Sequence, residues 1–220
     1  KYARYGLLAD VEAPPRLETP NPEERIPVQQ GTDLQYLKDI AARFSYVFYV
    51  IPGPLSLTNT AYWGPKYRRG IQQPPLSVNV GPDSNVSSIN FQNNALAPTT
   101  VSGTVQDRNT NENVRVETTT SSREELTSNP ALVRQAFIRR RIFRAESDLN
   151  TTQAEARAQA ITDDSTEVVT VQGELDATRY NEILQARGFV ELRGAGFSYN
   201  GKYYVKSVTH KISAGEYKQQ

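Results

Sequence analysis

Apolar residues recur every three to four positions in two windows of this chain and at alternate positions through much of the rest. In the first window Leu34, Leu37, Ile40, Ala41 and Phe44 form one stripe, which predicts a helix over 33–43 with Thr32 or Asp33 capping its first turn. In the second, Ala154, Ala158 and Ile161 make a face of small residues, which predicts a helix over about 152–163. Thr151 or Thr152 with Glu155 reads as its capping box. Elsewhere the period is two. "SYVFYVIPGP" reads as a strand stopped by Pro52-Gly53-Pro54, "PPLSVNVGP" as a short strand, and residues 85–120 as three strands separated by Asn, Pro and Gly turns. Val101, Gly103 and Val105 alternate with Ser102, Thr104 and Gln106, as a half-solvated antiparallel strand requires. Residues 119–130 read as a loop, "ALVRQAFIRRRIFRAES" as helix or strand, "EVVTVQGELD" as a strand, and 177–188 as a short helical turn or a bent connection. The class is therefore α+β, mainly antiparallel β.

Charge and composition narrow the function more than the fold. With 25 Lys and Arg against 24 Asp and Glu, the net charge of +1 supplies no global pull toward nucleic acid or an anionic membrane. No cysteine is present and His210 is the single histidine, which excludes disulfides, thiolate zinc sites and multi-histidine metal sites within this chain. No apolar run approaches the roughly 18 residues that span a bilayer, and no basic-then-apolar leader opens the chain. Methionine is absent even at position 1, and "GEYKQQ" still reads as strand where it stops; both are expected of an ordered portion of a longer protein.

The groups that could carry chemistry each have a plainer reading. Gly194-Ala195-Gly196 follows a strand, as a phosphate cradle does, but no helical stripe comes after it, so these glycines are expected to bend or bulge the strand. Asn200-Gly201 is expected to make a two-residue hairpin turn between strands at 196–199 and 202–212. His210 lies in a β-branched strand and reads as structural. Glu174 and Asp176, two apart on a strand, could form an acid/base pair, but ion pairing with Arg179, Arg187 and Arg193 is the expectation. Arg139-Arg140-Arg141 could touch phosphates, yet among Phe137, Ile138, Ile142 and Phe143 they read as a solvated face. Trp63 with Tyr62 and Tyr67 could stack on a sugar or base, or anchor a core or a subunit contact.

Several stretches together, "GTDLQYLKDIAARFSYVFYVIPGP", "AYWGPK", "PPLSVNVGPDSNVSSINFQNNALAPTTVSGTVQD" and the run from "GELDATRYNEILQARGFVELRG" to the end, resemble the phage late control D family. Those proteins are tail hubs of contractile phages and phage-tail-like injection systems, related in fold to the first part of type VI secretion VgrG proteins. The resemblance covers nearly all of residues 20–220 and is weakest at 119–150; Asn181 departs from it, standing where a glycine is expected after Arg179-Tyr180.

The resemblance implies two β-barrel-like hub domains with inserted helices. Residues 1–30 would be an extended connector from a preceding region and 31–120 a helix with one barrel-like portion. Residues 121–150 would be a linker, and 151–220 a helix with strands completing a second barrel. It implies a homotrimeric baseplate hub that joins a sixfold tail tube to a threefold central spike. Its expected partners are the spike, the tube or tube-initiator protein and other baseplate proteins. No catalysis, cofactor, nucleic-acid binding or membrane insertion is expected. It would reside in the baseplate of a virion or injection particle assembled in the bacterial cytoplasm. Tyr62, Trp63, Tyr217, Gln219 and Gln220 are the candidate contacts with another subunit or the spike, the last three as an edge strand; Gly194, Gly196, Asn200 and Gly201 are turn residues. The alternative is a carbohydrate-binding or peptidoglycan-cleaving tail module, for which Glu174 and Asp176 would be the carboxylate pair.

Overall fold

The computed structural model describes residues 1–16, 28–66, 70–107, 109–127, 130–144 and 149–220. In chain order the described elements of the first half are β1 (Leu7–Val11), α1 (Asp33–Arg43), β2 (Tyr46–Pro52), β3 (Asn59–Pro65), β4 (Leu76–Ser77), β5 (Val86–Asn93) and β6 (Thr99–Gln106). There follow β7 (Asn113–Glu117), α2 (Ala131–Arg134), β8 (Arg139–Ile142), α3 (Thr151–Ser165), β9 (Val169–Asp176), α4 (Ala177–Tyr180), β10 (Phe189–Arg193), β11 (Gly201–Tyr204), β12 (His210–Ser213) and β13 (Glu216–Gln219). The strands make four open sheets, ordered β1-β3-β2, β11-β10-β4, β12-β13-β9-β5 and β7-β6-β8. Most neighbouring strands are antiparallel; β1 with β3, β10 with β4 and β6 with β8 are parallel. The fold is α+β, as the periodicities predict.

These elements belong to two compact units, neither contiguous in sequence. One comprises Lys1–Lys66, Pro98–Ser122 and Phe137–Thr166, the other Tyr67–Ala97, Arg123–Ala136 and Glu167–Gln220. The stretches 31–120 and 151–220 are thus each shared between both units.

In the first unit α3 lies over β6 and β7. Ala154 and Ala158 have no exposed surface and pack with Val101, Val105, Val116, Phe143 and Leu149. Alanine at these positions lets the helix backbone come close to the sheet, and β6 turns Val101 and Val105 toward it, while Thr104 and Gln106 face solvent. The cap of α3 is Asn150, not a threonine. Its side chain accepts from the Gln153 N–H at 2.8 Å, and Gln153 Oε1 accepts from the Asn150 N–H at 3.2 Å. The capping box therefore sits two residues earlier than a Thr152–Glu155 box, because asparagine serves the same role. Thr32 caps α1 by accepting from the Gln35 N–H at 3.2 Å.

Asp107 joins the β6–β7 turn to the start of α3. Its carboxylate accepts from the Thr151 hydroxyl and N–H, the latter at 3.0 Å, and from the N–H groups of Asn109 and Thr110 at 2.8 and 3.2 Å. The Thr151 bonds first, then the two turn amides, hold this carboxyl well below the usual carboxylate range. A depressed folded-state pKa contributes stability that is complete above the unfolded value of about 4 and is lost as pH falls below it. Asp107→Asn is expected to be less stable than the parent at neutral pH and to lose less on acidification below about pH 4. Urea titrations at a series of pH values check this; parallel pH profiles for the two proteins would contradict it.

In the second unit Leu175, Tyr180, Leu184, Val190 and Val205 form the core, with Leu76, Tyr203 and Val208 against it. Asn181 closes α4 in the left-handed region at φ 56°, its N–H bonded to the Ala177 carbonyl. Asparagine is the commonest substitute for glycine there, so the departure at this position keeps the turn.

Two expectations need correction. First, residues 7–11 do not run free as a connector, since β1 pairs in register with Asn59–Trp63; residues 17–27 of that stretch lie outside the described residues. Second, Asn200-Gly201 is not a two-residue turn. β10 and β11 do form a hairpin, with Leu192 opposite Gly201, but the whole of 194–200 is its loop. Gly194 and Gly196, at φ 79° and 88°, take the chain off the strand early, and the Asn200 side chain is engaged in accepting from the Ala195 N–H at 2.8 Å. The tight turn of this region is Ala214-Gly215, between Ser213 and Glu216, with Gly215 at φ 80°.

Candidate assembly surfaces

The residues expected at a subunit or spike contact divide between interior and surface. Tyr62 is interior at 1% exposure, its ring beside Tyr49 and its hydroxyl donating to the Pro65 carbonyl at 2.9 Å, so it has little surface to offer a partner. Trp63 is half-buried in an edge-on aromatic group with Phe44 and Tyr46, at centroid separations of 6.1 and 5.0 Å. Tyr67 lies outside the described residues.

The chain's last strand, β13, is not an edge. It lies between β12 and β9, and Gln220 exchanges backbone hydrogen bonds with Thr209. Gln219 is fully buried. Its Oε1 accepts from the Leu184 N–H at 2.7 Å and its Nε2 donates to the Glu182 carbonyl at 2.8 Å, which fixes the irregular segment after α4. Sequence alternation does not separate such a glutamine from a solvated one. Tyr217 is half-buried, with its hydroxyl 2.9 Å from His210 Nδ1, so the β12 histidine has a structural partner on β13.

The outer strand of this sheet is β12, every residue of which is exposed, including Ile212 at 77%. β5 is the opposite edge. Unpaired N–H and C=O groups on such strands are the means by which sheets extend into a neighbour.

The carboxylate pair is occupied structurally. Glu174 meets Lys218 at 3.3 Å and Lys211 at 3.8 Å, lysines in place of the arginines anticipated. Asp176 caps α4 by accepting from the Thr178 hydroxyl and N–H, which holds its carboxyl below the ordinary value, opposite to what a general acid needs. Of the three arginines, Arg193 pairs with Glu191 and Arg187 donates to the Tyr204 hydroxyl. The loop amide of Ala195 is taken by Asn200, and no helix starts at the glycines, so the geometry there is that of a turn. Among the described residues there is no cluster of three or more His, Asp or Glu able to hold a metal. No helix among the described residues is long and apolar enough to cross a membrane.

One surface escaped the sequence reading. The β2–β3 hairpin ends in a tip showing Leu55 at 67% and Leu57 at 97% exposure. The tip is held rigidly: the Thr58 hydroxyl donates to the Leu55 carbonyl at 2.7 Å, and the Gly53 N–H donates to the Thr58 carbonyl at 2.9 Å. Leu57 adopts φ 63°, a left-handed conformation that costs a leucine about 1–2 kcal/mol. The tip thus combines local backbone strain with two exposed apolar side chains. The only signal in the sequence was an apolar pair between Pro54 and Asn59, which hydrophobic patterning assigns to no face.

No family model matches this chain, and no curated protein matches it by sequence. Its fold is similar to that of the 43 kDa tail protein of prophage MuSo2 from Shewanella oneidensis, at 10% identity and a TM-score of 0.61 over 99% of this chain and 59% of that one. It is also similar to that of the tail protein from Neisseria meningitidis MC58, at 13% identity and a TM-score of 0.62 over 99% of this chain and 62% of that one. The chain spans about three fifths of the length of those tail proteins, and what it has in common with them at this level of identity is the fold.

Proposed function

We propose that this chain is a structural component of a phage tail or phage-tail-like injection system, and within it the baseplate hub that the late control D resemblance implies. The observation that carries the reading is the likeness of fold to two phage tail proteins along 99% of the chain. Open strand edges in every sheet and the rigid Leu55–Leu57 tip support it, since an assembly subunit needs surfaces that a solitary enzyme would cover. The hub is a homotrimer. Its copies close about a threefold axis, bind the central spike on one side and the tail tube or tube-initiator protein on the other, and contact further baseplate proteins around the rim. It acts through these contacts rather than through catalysis or a cofactor, in the baseplate of a particle assembled in the bacterial cytoplasm.

Light scattering on the protein is expected to give a trimer, and electron microscopy of the particle to show three copies between tube and spike. Leu55→Asp with Leu57→Asp is expected to leave the fold intact and abolish entry into particles. A monomeric protein absent from any tail particle would overturn the reading.

A further inference from the structure

The arginine run of β8, which the tail reading leaves unused, lines a groove. Among the described residues β8 is an outer strand, paired only with β6. The register sets Arg139 beside Thr99 and Arg141 beside Val101, so both arginines lie on the α3 side of the sheet. Arg140 lies on the other side, where it donates to the Ser102 hydroxyl at 2.7 Å and meets Glu117. Two adjoining cavities of about 320 and 560 Å³ open on the α3 side, with Arg141 and Ile161 common to both. Their apolar lining is Val101, Ile142, Phe143 and Ile161, and their cationic rim is Arg139, Arg141 and Arg144. None of these three exposed guanidinium groups has a carboxylate partner among the described residues. The one acid lining the groove, Asp164, accepts from the Ser45 hydroxyl at 2.7 Å. Phe143 donates its N–H to the Ser102 carbonyl, so Arg141 faces β6 in the same way, and the N–H and C=O groups of Arg140 and Ile142 point to the open edge.

We propose that this groove takes an extended acidic segment of another polypeptide, added as a strand to the outer edge of β8. Side chains two apart on a strand lie on one face roughly 6–7 Å apart. An added strand would therefore set two carboxylates, separated by one residue, against Arg139 and Arg141. An apolar side chain two positions further along would enter the cavity beside Phe143 and Ile161. Charge complementarity selects the acid pair, the open edge supplies main-chain hydrogen bonds, and the cavity supplies apolar burial. The inference rests on unit geometry and charge, and stands apart from the tail reading.

The probes are short fluorescent peptides carrying Glu-Thr-Glu-Thr-Leu or its reverse, titrated against the intact chain by anisotropy. One of the two is expected to bind, and its affinity to fall with salt. Replacing both of its glutamates with glutamine, or N-methylating its backbone on the edge-facing side, is expected to weaken binding about tenfold or more. The same loss is expected in Arg139→Gln with Arg141→Gln. The peptide substitutions test the idea on the parent protein even if that variant folds poorly. Several results would overturn it: no binding by either peptide, equal binding of the glutamine peptides, or indifference to N-methylation. Tighter binding of a single-stranded DNA of equal charge would make the surface a general anion site and would overturn it as well.

Discussion

Gly194→Ala is expected to be the most damaging single-methyl substitution in the chain. A Cβ at this position would stand 1.8 Å from the Val78 carbonyl oxygen and 3.0 Å from the Val78 carbonyl carbon, both backbone atoms. The Val78 N–H is itself bonded to the Arg193 carbonyl at 2.9 Å, so the two segments cannot separate without losing that bond. The residue also sits at φ 79°, where an L side chain costs about 1–2 kcal/mol before any clash. With forced overpacking at about 1–3 kcal/mol, the loss comes to about 2–5 kcal/mol. Gly196→Ala separates the two causes: φ is 88°, but a Cβ there meets nothing within 4 Å, so only the conformational part applies. Denaturant unfolding of both variants checks the argument. It fails if Gly194→Ala unfolds with the parent, or if the two variants lose equal stability.

Gln219→Leu is expected to cost a similar amount for an electrostatic reason. The substitution keeps the volume of the fully buried Gln219 side chain but leaves the buried Leu184 N–H and the part-buried Glu182 carbonyl without that partner. Each orphaned group costs about 1–3 kcal/mol, so about 2–6 kcal/mol in all. Gln219→Glu gives a sharper readout. The ionised carboxylate still accepts from Leu184 but faces the Glu182 carbonyl, so burial and this repulsion raise its pKa in the folded state. The folded protein then binds the proton more tightly than the unfolded one, and stability should recover as pH falls through that raised value. A Gln219→Glu variant whose stability falls with acidification just as the parent's does would show that the side chain is not held as described.

What was legible in the sequence was periodic and local. The stripe from Leu34 to Phe44 and the small residues of α3 announce helices because apolar positions recur at helical spacing there, although Leu34 itself is exposed and α3 buries Ala156 and Ala160 as well as Ala154 and Ala158; β6 announces itself by the alternation at Val101 and Val105. What was not legible depends on partners far along the chain. β1 is only five residues long and is a strand because Asn59–Trp63 lies beside it. Asn200-Gly201 carries the strongest short hairpin signal, but Gly194, pressed against Val78, turns the chain before that signal can act. For the candidate surfaces, aromatic content pointed to Tyr62 and chain position to Gln219, yet both are interior. The exposed apolar tip at Leu55 and Leu57 is specified by Thr58 hydrogen bonds that no pattern of hydrophobicity encodes.

The interleaving of the two units sets an order of events on the ribosome. Among the described residues β5 has a single partner strand, β9, whose first residue is Val169, while β5 ends at Asn93; β4 waits likewise for β10. At roughly 5–20 residues synthesised per second, the nascent chain carries an unpaired β5 for roughly 4–15 s. During that time Val86, Ile89 and Phe91 stand on a strand with no charged residue to deter another chain. Crowded translation of one message is therefore a hazard. Holding β5 apart until β9 emerges is a task for a chaperone or for slow expression, and yield of soluble chain should rise as the translation rate falls.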